Sequence, residues 1–280
     1  MNHKNPENNT RIRASKKMKK LFCTILATIF FVVGSNVFAE PADSEQNDFE
    51  KIREAIRQMN KKNNLPFSIE SRFFITNSDG HFKSDGMNFN GGDVGLKNHL
   101  NITKSSTAEF IIRYKKFSLD YIHLNDSGRN NLNGVLKFGN SNHLGDINSE
   151  SDLHYIKFNV NNEIISLLGT GIDWTYGLTG VYWKGSANNS HEKFFAPLPT
   201  VGLSLHINVL PTLKIYSQLS GMTYASLGHV YDFESGLRYF PSKNFSITAG
   251  YRKIDMNIHH NGDRGNFKMN GPFAGVRVDF

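Results

Sequence analysis

The residues best suited to hydrolytic chemistry are histidines that stand close to a hydroxyl or a carboxylate in the chain. A catalytic set needs a nucleophile or an activated water beside a base, with a third group that orients the base. The candidate groups are His123 with Asp126 and Ser127, His143 with Asp146, Ser190-His191-Glu192, and His259-His260 with Asp263. All four are predicted in or beside outward loops, and adjacent side chains such as Ser190 and His191 point to different sides. We therefore predict no catalytic residues, and a lipid-modifying or proteolytic enzyme is only the third interpretation of the chain.

Metal and cofactor binding has equally little support. Zinc sites use spaced ligand pairs, whereas His259 and His260 are adjacent and only Asp263 stands near them. The sequence predicts no metal site and no cofactor.

The elements that would position such residues begin after an N-terminal leader. Residues 16–20 read Lys-Lys-Met-Lys-Lys, 21–33 are apolar, and Val37-Phe38-Ala39 ends in the small residue that a signal peptidase requires. Residues 1–39 are therefore predicted to be a secretory signal peptide, cleaved between Ala39 and Glu40. The alternative is an uncleaved membrane anchor.

Most of the net positive charge of the chain lies in this leader. The true start of the leader could be Met18. The leader carries seven of the 32 Lys and Arg residues, one of the 25 Asp and Glu residues, and the only cysteine, Cys23. Residues 40–280 keep 25 bases and 24 acids and can form no disulfide. This near neutrality removes the support for nucleic-acid binding. No apolar run reaches the roughly 18 residues of a membrane-spanning helix.

From Phe67 onward, apolar residues recur with a period of two, which is typical of half-buried strands. In the clearest case Val201, Leu203, Leu205, Ile207 and Val209 alternate with Gly202, Ser204, His206 and Asn208. The predicted strands lie near 67–76, 105–115, 117–126, 152–160, 164–183, 200–210, 213–222, 230–240, 244–256 and 267–280. Ten strands fit the pattern best, and eight and twelve are alternatives.

The connections alternate in length, which indicates an antiparallel up-and-down transmembrane β-barrel over residues 67–280. Short turns are predicted at 115–116, 161–162, 210–212 and 241–243. Long loops are predicted at 77–104, 127–151, 184–199, 223–229 and 257–266. Residues 40–66 precede the barrel, and the spacing of Phe49, Ile52, Ile56 and Met59 predicts a short periplasmic amphipathic helix. This helix would be an arm, a plug for the barrel or a loosely packed linker.

Aromatic residues favour a membrane barrel over a soluble one. Trp174 and Tyr182 share a face eight residues apart, and so do Tyr231 and Tyr239. Eight residues span roughly 20 Å along the membrane normal in a tilted strand, close to the height of a lipid-facing band with aromatic girdles.

The C-terminal strand carries a pattern that resembles the assembly signal of Gram-negative outer-membrane barrels. Its residues are Gly275, Val276, Val278 and the terminal Phe280. Residues 67–280 therefore resemble the outer-membrane β-barrel superfamily. More narrowly, the chain is similar to a family of small, functionally uncharacterised outer-membrane barrels in residues 92–96, 139–153 and 270–275. The resemblance implies a scaffold and carries no activity.

Strand parity places charged residues of both signs in the lumen. They are Glu70, Arg72, Glu109, Arg113, Asp173, Asp232, Glu234, Arg238, Arg252, Arg277 and Asp279. Six acids and five bases can pair across a narrow lumen, whereas an ion-selective pore would carry an excess of one sign.

The sequence thus predicts a monomeric outer-membrane barrel with a mostly closed lumen and a structural or surface-interaction role. A narrow channel for ions or small solutes is the alternative. The expected partners are membrane lipid and lipopolysaccharide, the barrel-assembly machinery and an unknown surface ligand.

Overall fold

The computed structural model describes residues 66–167, 170–224, 228–260 and 263–280. The predicted signal peptide, its cleavage site at Ala39 and Glu40, and the helix in 40–65 lie outside these residues. In chain order the strands are β1 (Phe67–Lys83), β2 (Met87–Phe89), β3 (Val94–Gly95), β4 (Lys104–Tyr114), β5 (Phe117–Phe138), β6 (Ser141–Leu167), β7 (Thr170–Ala187), β8 (Ser190–Leu210), β9 (Leu213–Tyr224), β10 (Gly228–Ser242), β11 (Phe245–His260) and β12 (Asp263–Asp279). No helix in the described part of the chain is long and apolar enough to cross a membrane.

The ten long strands close into a barrel. Each pairs antiparallel with the next long strand, and β12 pairs with β1 to complete the ring. The register of the barrel is found by stepping from each residue to its direct partner on the next strand. From Ala196 on β8 these steps pass Ile122 on β5 and Arg72 on β1, and they return to β8 at Asn208. The start and the end of this path are twelve residues apart on β8. This shift over ten strands corresponds to a strand tilt of about 40° from the barrel axis.

The prediction of a ten-stranded up-and-down barrel is confirmed, but the turn between β6 and β7 was placed wrongly. β6 continues through Asn161 and Asn162, which pair with Thr175 and Trp174 on β7. The predicted strand 164–183 therefore contains the end of β6 and most of β7. Two adjacent asparagines usually indicate a turn, but here a register shift after Glu163 carries the ladder onward.

The predicted loops 127–151 and 184–199 are mainly strand, and 77–104 is partly strand. The segments 77–104, 127–151 and 184–199 contain the upper parts of β1 and of β5 to β8, which reach short hairpin connections at 139–140 and 188–189. Above a bilayer the outer face of a strand meets water, so the outward residues of these extensions are largely polar, whereas Leu132, Leu136 and Phe138 still face inward. The apolar alternation that identifies a lipid-facing strand is lost there.

The segment 84–103 completes the upper wall between β1 and β5, where β4 is too short to do so. Phe82 on β1 pairs with Val94 on β3, and Phe138 on β5 pairs with Met87 on β2. The Ser149 hydroxyl donates to the Leu100 carbonyl at 2.7 Å. These contacts turn the apolar residues of the segment inward, and the buried ones are Met87, Val94, Leu96, Leu100 and Ile102.

The outer surface is apolar over most of the lower barrel. Exposed residues on this face include Ile69, Phe73, Ile112, Phe158, Leu178, Leu203, Leu219, Leu237, Ile247 and Val276. Trp174, Tyr231 and Tyr239 are exposed and Tyr182 is half-buried, and all four point outward. Apolar side chains on the outside of a closed barrel are suited to lipid and not to water.

Both ends of the barrel sequence meet at the end with the short turns. The Phe280 N–H donates to the Phe67 carbonyl at 2.9 Å, and their rings lie 5.7 Å apart. Val276, Val278 and Phe280 are exposed on the outer face, whereas Gly275 lies against Arg72 inside. Val276, Val278 and Phe280 of the predicted assembly signal therefore form one outward apolar row.

Candidate functional site

Arg72 on β1 and Arg252 on β11 organise the charged side chains inside the barrel. Each arginine side chain is 1% exposed. Arg72 contacts Glu70 at 2.7 Å, Glu109 at 3.3 Å and Glu234 at 2.8 Å. A guanidinium has five N–H donors in a planar fork, so one arginine can bind several carboxylates at once.

Arg252 binds a second group of acids, which lie on the adjacent strand β10 and, across the lumen, on β4 and β5. Its guanidinium contacts Asp120 and Asp232, each at 2.8 Å, and also contacts Glu109. Glu109 is therefore shared with Arg72, which joins the two groups into one network.

Three more bases complete the network. Lys157 contacts Asp232 at 2.7 Å, and Arg113 and Arg238 contact Glu70 at 2.6 and 3.1 Å. The five acids Glu70, Glu109, Asp120, Asp232 and Glu234 thus face the five bases Arg72, Arg113, Lys157, Arg238 and Arg252. Equal numbers of opposite charges satisfy the requirement that charges buried away from water be paired.

The structure places all of the predicted lumen charges on the inner face. Those outside the central network lie near the lower end, where Arg277 donates to Asp279 at 2.8 Å and Asp173 accepts from Ser204 at 3.1 Å. The strand parity of the sequence did not predict that Asp120 and Lys157 also point into the lumen. The inner faces of their strands also carry apolar residues, so alternation alone does not distinguish the two sides of β5 and β6.

Little space remains beside this network. A polar cavity of about 60 Å³ lies among its side chains and is lined by Asp120, Lys157 and Asp232. Ligand sites usually have volumes of about 300–1,000 Å³. This cavity could hold water and has no room for a solute.

A second, apolar layer fills the lumen above the charges. On β1 the inward residues change from charged to apolar between Arg72 and Phe74, and on β11 they change between Arg252 and Ile254. The buried side chains of this layer include Ile122, Leu124, Val230, Met256, Phe267 and Met269, together with the apolar residues of segment 84–103. The interior of the barrel is therefore occupied at two successive levels.

The outer mouth contains a larger cavity, lined by apolar residues and also by Lys83, Glu192, Lys193, His259 and Arg264. Its volume is about 380 Å³, and its lining includes Phe82, Met87, Trp183, Ala196 and Leu198. The Phe82 and Trp183 rings stack with centroids 4.8 Å apart. The apolar layer closes the cavity from below.

Most of the candidate catalytic groups do not converge. His123 and Asp126 lie on opposite faces of β5, and Ser190 and His191 lie on opposite faces of β8. Asp146 accepts a hydrogen bond from Asn131 at 2.6 Å and does not pair with His143. The side chains of His260 and Asp263 lie outside the part of the chain that the structure describes.

One histidine does meet a serine at the outer end. His143 Nε2 lies 3.1 Å from Ser190 Oγ, and His143 Nδ1 lies 3.4 Å from Asn188 Nδ2. Asn188 Oδ1 accepts the Asn148 N–H at 3.0 Å, so its amide nitrogen faces the imidazole. No carboxylate contacts His143 among the described residues, so this pair lacks the third group that orients the base of a catalytic set.

Comparisons with known proteins concern the fold. No family model and no curated protein matches the chain. Among solved structures, the outer membrane protease OmpT from Escherichia coli aligns with 77% of this chain and 97% of its own, with a TM-score of 0.49 and 9% identity. The translocator domain of the autotransporter NalP from Neisseria meningitidis aligns with 85% of this chain and 98% of its own, with a TM-score of 0.37 and 9% identity. Neisserial surface protein A aligns with 77% of this chain and 97% of its own, with a TM-score of 0.31 and 12% identity.

The architecture itself defines the class of the protein. A closed antiparallel barrel pairs its backbone hydrogen bonds from strand to strand, and here an apolar belt lies outside while paired charges lie inside. The chain therefore has the architecture of a transmembrane β-barrel of the outer-membrane type.

Proposed function

We propose that this chain is a non-enzymatic, non-conducting barrel whose contacts with other molecules are made by its outer part. The observation that carries the proposal is the double occlusion of the lumen by the charge network and the apolar layer. A solute path would have to break pairs such as Arg252 with Asp232 and also displace the apolar side chains above them. Neither step leaves the buried groups satisfied.

The outer part offers the surface that the lumen lacks. The β5–β6 hairpin extends beyond the apolar belt as far as Phe138 and Ser141, and its exposed residues are largely polar. Hairpins held on a rigid barrel are suited to recognition because the scaffold fixes their position. A surface ligand or lipopolysaccharide is the partner class that such a surface would bind.

The refolded mature chain, Glu40–Phe280, should give no steady conductance in a planar bilayer, with a porin in the same bilayer as the positive control. The absence of steady conductance should persist in 1 M KCl, because salt screens exposed charges strongly and buried ion pairs only weakly. A second recording without residues 40–65 tests the plug hypothesis. Steady conductance of the full mature chain would overturn the closed-lumen proposal in favour of the channel.

The cavity at the outer mouth favours a second candidate function, the capture of an apolar small molecule. Its volume of about 380 Å³ lies within the range of ligand sites, and aromatic and aliphatic side chains form most of its lining. This candidate is compatible with a closed lumen, since the apolar layer forms the floor of the cavity.

Trp183 can report on this cavity because the chain has only two tryptophans and the other, Trp174, faces lipid. In a Trp174→Phe variant, bromobenzene should quench Trp183 fluorescence with saturation. Ala196→Phe in the same background would fill the cavity and should weaken binding at least about tenfold, the effect of losing roughly 1.4 kcal/mol. Quenching that rises linearly and equally in both proteins would show partition into lipid and would exclude the capture function.

A further inference from the structure

Three potential metal ligands lie together on the outer face of the β5–β6 hairpin. His123 on β5 is directly paired with His154 on β6, and Asp152 is two residues further along β6 on the same face. Residues two apart on a strand share a face, and opposite residues on a neighbouring strand lie within about 5.5 Å. The sheet therefore holds the three side chains side by side without any loop.

The ligand atoms already converge. His123 Nε2 lies 2.6 Å from Asp152 Oδ1, and His154 Nε2 lies 3.4 Å from the same oxygen. The two imidazole rings are stacked, with centroids 4.4 Å apart and planes 5° from parallel, so one ring must turn about its Cβ–Cγ bond before both Nε2 lone pairs point at one ion. All three ligand atoms are within 4.8 Å of one another.

Tyr121 supplies the contact that orients a ligating histidine. Its hydroxyl lies 2.9 Å from His154 Nδ1. A histidine that binds metal through Nε2 carries its proton on Nδ1 and usually donates it to an oxygen. The Tyr121 oxygen is placed to accept this hydrogen bond and so to leave Nε2 of His154 free for a metal.

We propose that His123, Asp152 and His154 form a three-ligand Zn²⁺ site. Two imidazole nitrogens and one carboxylate oxygen are a common ligand set for zinc, and bonds of about 2.1 Å place ligand atoms roughly 3.4 Å apart in a tetrahedron. The His154–Asp152 separation matches this value, and the His123–Asp152 separation needs to widen by about 0.8 Å. The side chains are 27–42% exposed, which leaves room for that adjustment.

The fourth coordination position of the site faces outward at the upper edge of the apolar belt. On β5 the outward residues change from Leu119 and Tyr121 to His123 and then to Asn125. This edge is where the lipid headgroups begin. Water or a headgroup oxygen would complete the tetrahedron.

A histidine and an acid elsewhere on the rim provide a matched comparison. His229 Nε2 lies 3.8 Å from Asp255 Oδ1 between β10 and β11, also on the outer face. This pair has one imidazole and one carboxylate and belongs to no group of three ligands within the described residues. A two-ligand pair should bind zinc weakly, so His229 is the control for the third ligand.

The test is a titration of the untagged mature chain, refolded in neutral detergent at pH 7.5, with Zn²⁺ alone. We expect one tight equivalent per chain, and Co²⁺ in its place should give the visible absorption of tetrahedral coordination. Loss of an orienting hydrogen bond costs about 10–100-fold in affinity, so Tyr121→Phe should weaken binding about tenfold. His154→Ala and Asp152→Asn remove ligands and should weaken it at least about 100-fold.

His229→Ala should bind Zn²⁺ as the unaltered protein does. The proposal is overturned if the unaltered protein binds no equivalent, if His154→Ala binds normally, or if His229→Ala loses as much affinity as His154→Ala. Tyr121→Phe keeps all three ligands and the outward aromatic ring, so it separates a metal effect from a folding defect.

Discussion

Replacing Arg252 by alanine is expected to lower the free energy of unfolding of the barrel by about 3–5 kcal/mol, the usual cost of removing one partner from a buried ion pair. The guanidinium contacts Glu109, Asp120 and Asp232, and it is 1% exposed. Its removal leaves Asp120 without a charged partner among its described contacts. Asp232 keeps Lys157 as its one described charged partner.

The size of this effect comes from the acids that stay behind. A single carboxylate left uncompensated in a low-dielectric interior costs several kcal/mol unless it takes up a proton or water enters. Arg252→Lys would restore a positive charge but not the planar fork that reaches three carboxylates, so it should recover only part of the loss.

Urea unfolding of the refolded mature chain in lipid vesicles, followed by tryptophan fluorescence, measures this difference. Arg129→Ala is the control, since Arg129 pairs with Asp146 at 3.4 Å while both side chains remain more than 60% exposed. That exposed pair should contribute less than about 1 kcal/mol. A loss below 1 kcal/mol for Arg252→Ala would mean that the charges inside the barrel are hydrated and that the lumen is open to water.

The part of the fold that lies in lipid was predictable from sequence because lipid imposes a strict alternation. Along β8, Leu203 and Leu205 face outward while Ser204 and His206 face inward, and a shift by one residue would place polar groups in hydrocarbon. Above the bilayer this constraint ends. The upper parts of β5 and β6 were consequently predicted as a loop, although their backbone ladder continues to Phe138 and Ser141.

The interior was predictable in part for the same reason. Where the inner face is uniformly polar, as around Glu70 and Arg72, parity indicates which charges point inward. Where Asp120 shares the inner face of β5 with Ile122 and Leu124, both faces of the strand carry apolar residues and the parity is ambiguous. The apolar layer had no sequence signal of its own, because its buried residues come from eight long strands and the segment 84–103 and share no local spacing.

The cross-strand group of His123, Asp152 and His154 illustrates the same limit. His123 and His154 are 31 positions apart, and only the register of β5 against β6 brings them together. The sequence instead grouped His123 with Asp126, which lies on the other face of the strand. Proximity along a strand predicts a shared site only at even spacing.

Leu203→Arg is expected to lower the free energy of unfolding in a bilayer by about 2–4 kcal/mol, the cost of an arginine at the midplane on the lipid face of a barrel. Leu203 is 55% exposed and lies near the middle of the outward apolar row of β8, which runs from Phe195 to Val209. At that depth the long side chain has no short path to either headgroup layer.

Phe195→Arg is the matched control on the same strand and the same face. Phe195 is 64% exposed and lies at the upper end of the row, directly paired with Tyr182 of the upper aromatic girdle. An arginine there can extend its guanidinium into the headgroup layer, so the cost should fall to about 0–1 kcal/mol. Equal losses for the two variants, measured by urea unfolding in vesicles, would contradict this depth assignment and place the lipid belt elsewhere on the barrel. A large loss of unfolding free energy for Leu203→Arg alone would show that the lipid-facing belt lies between the short turns and the rim that carries His123 and Tyr182.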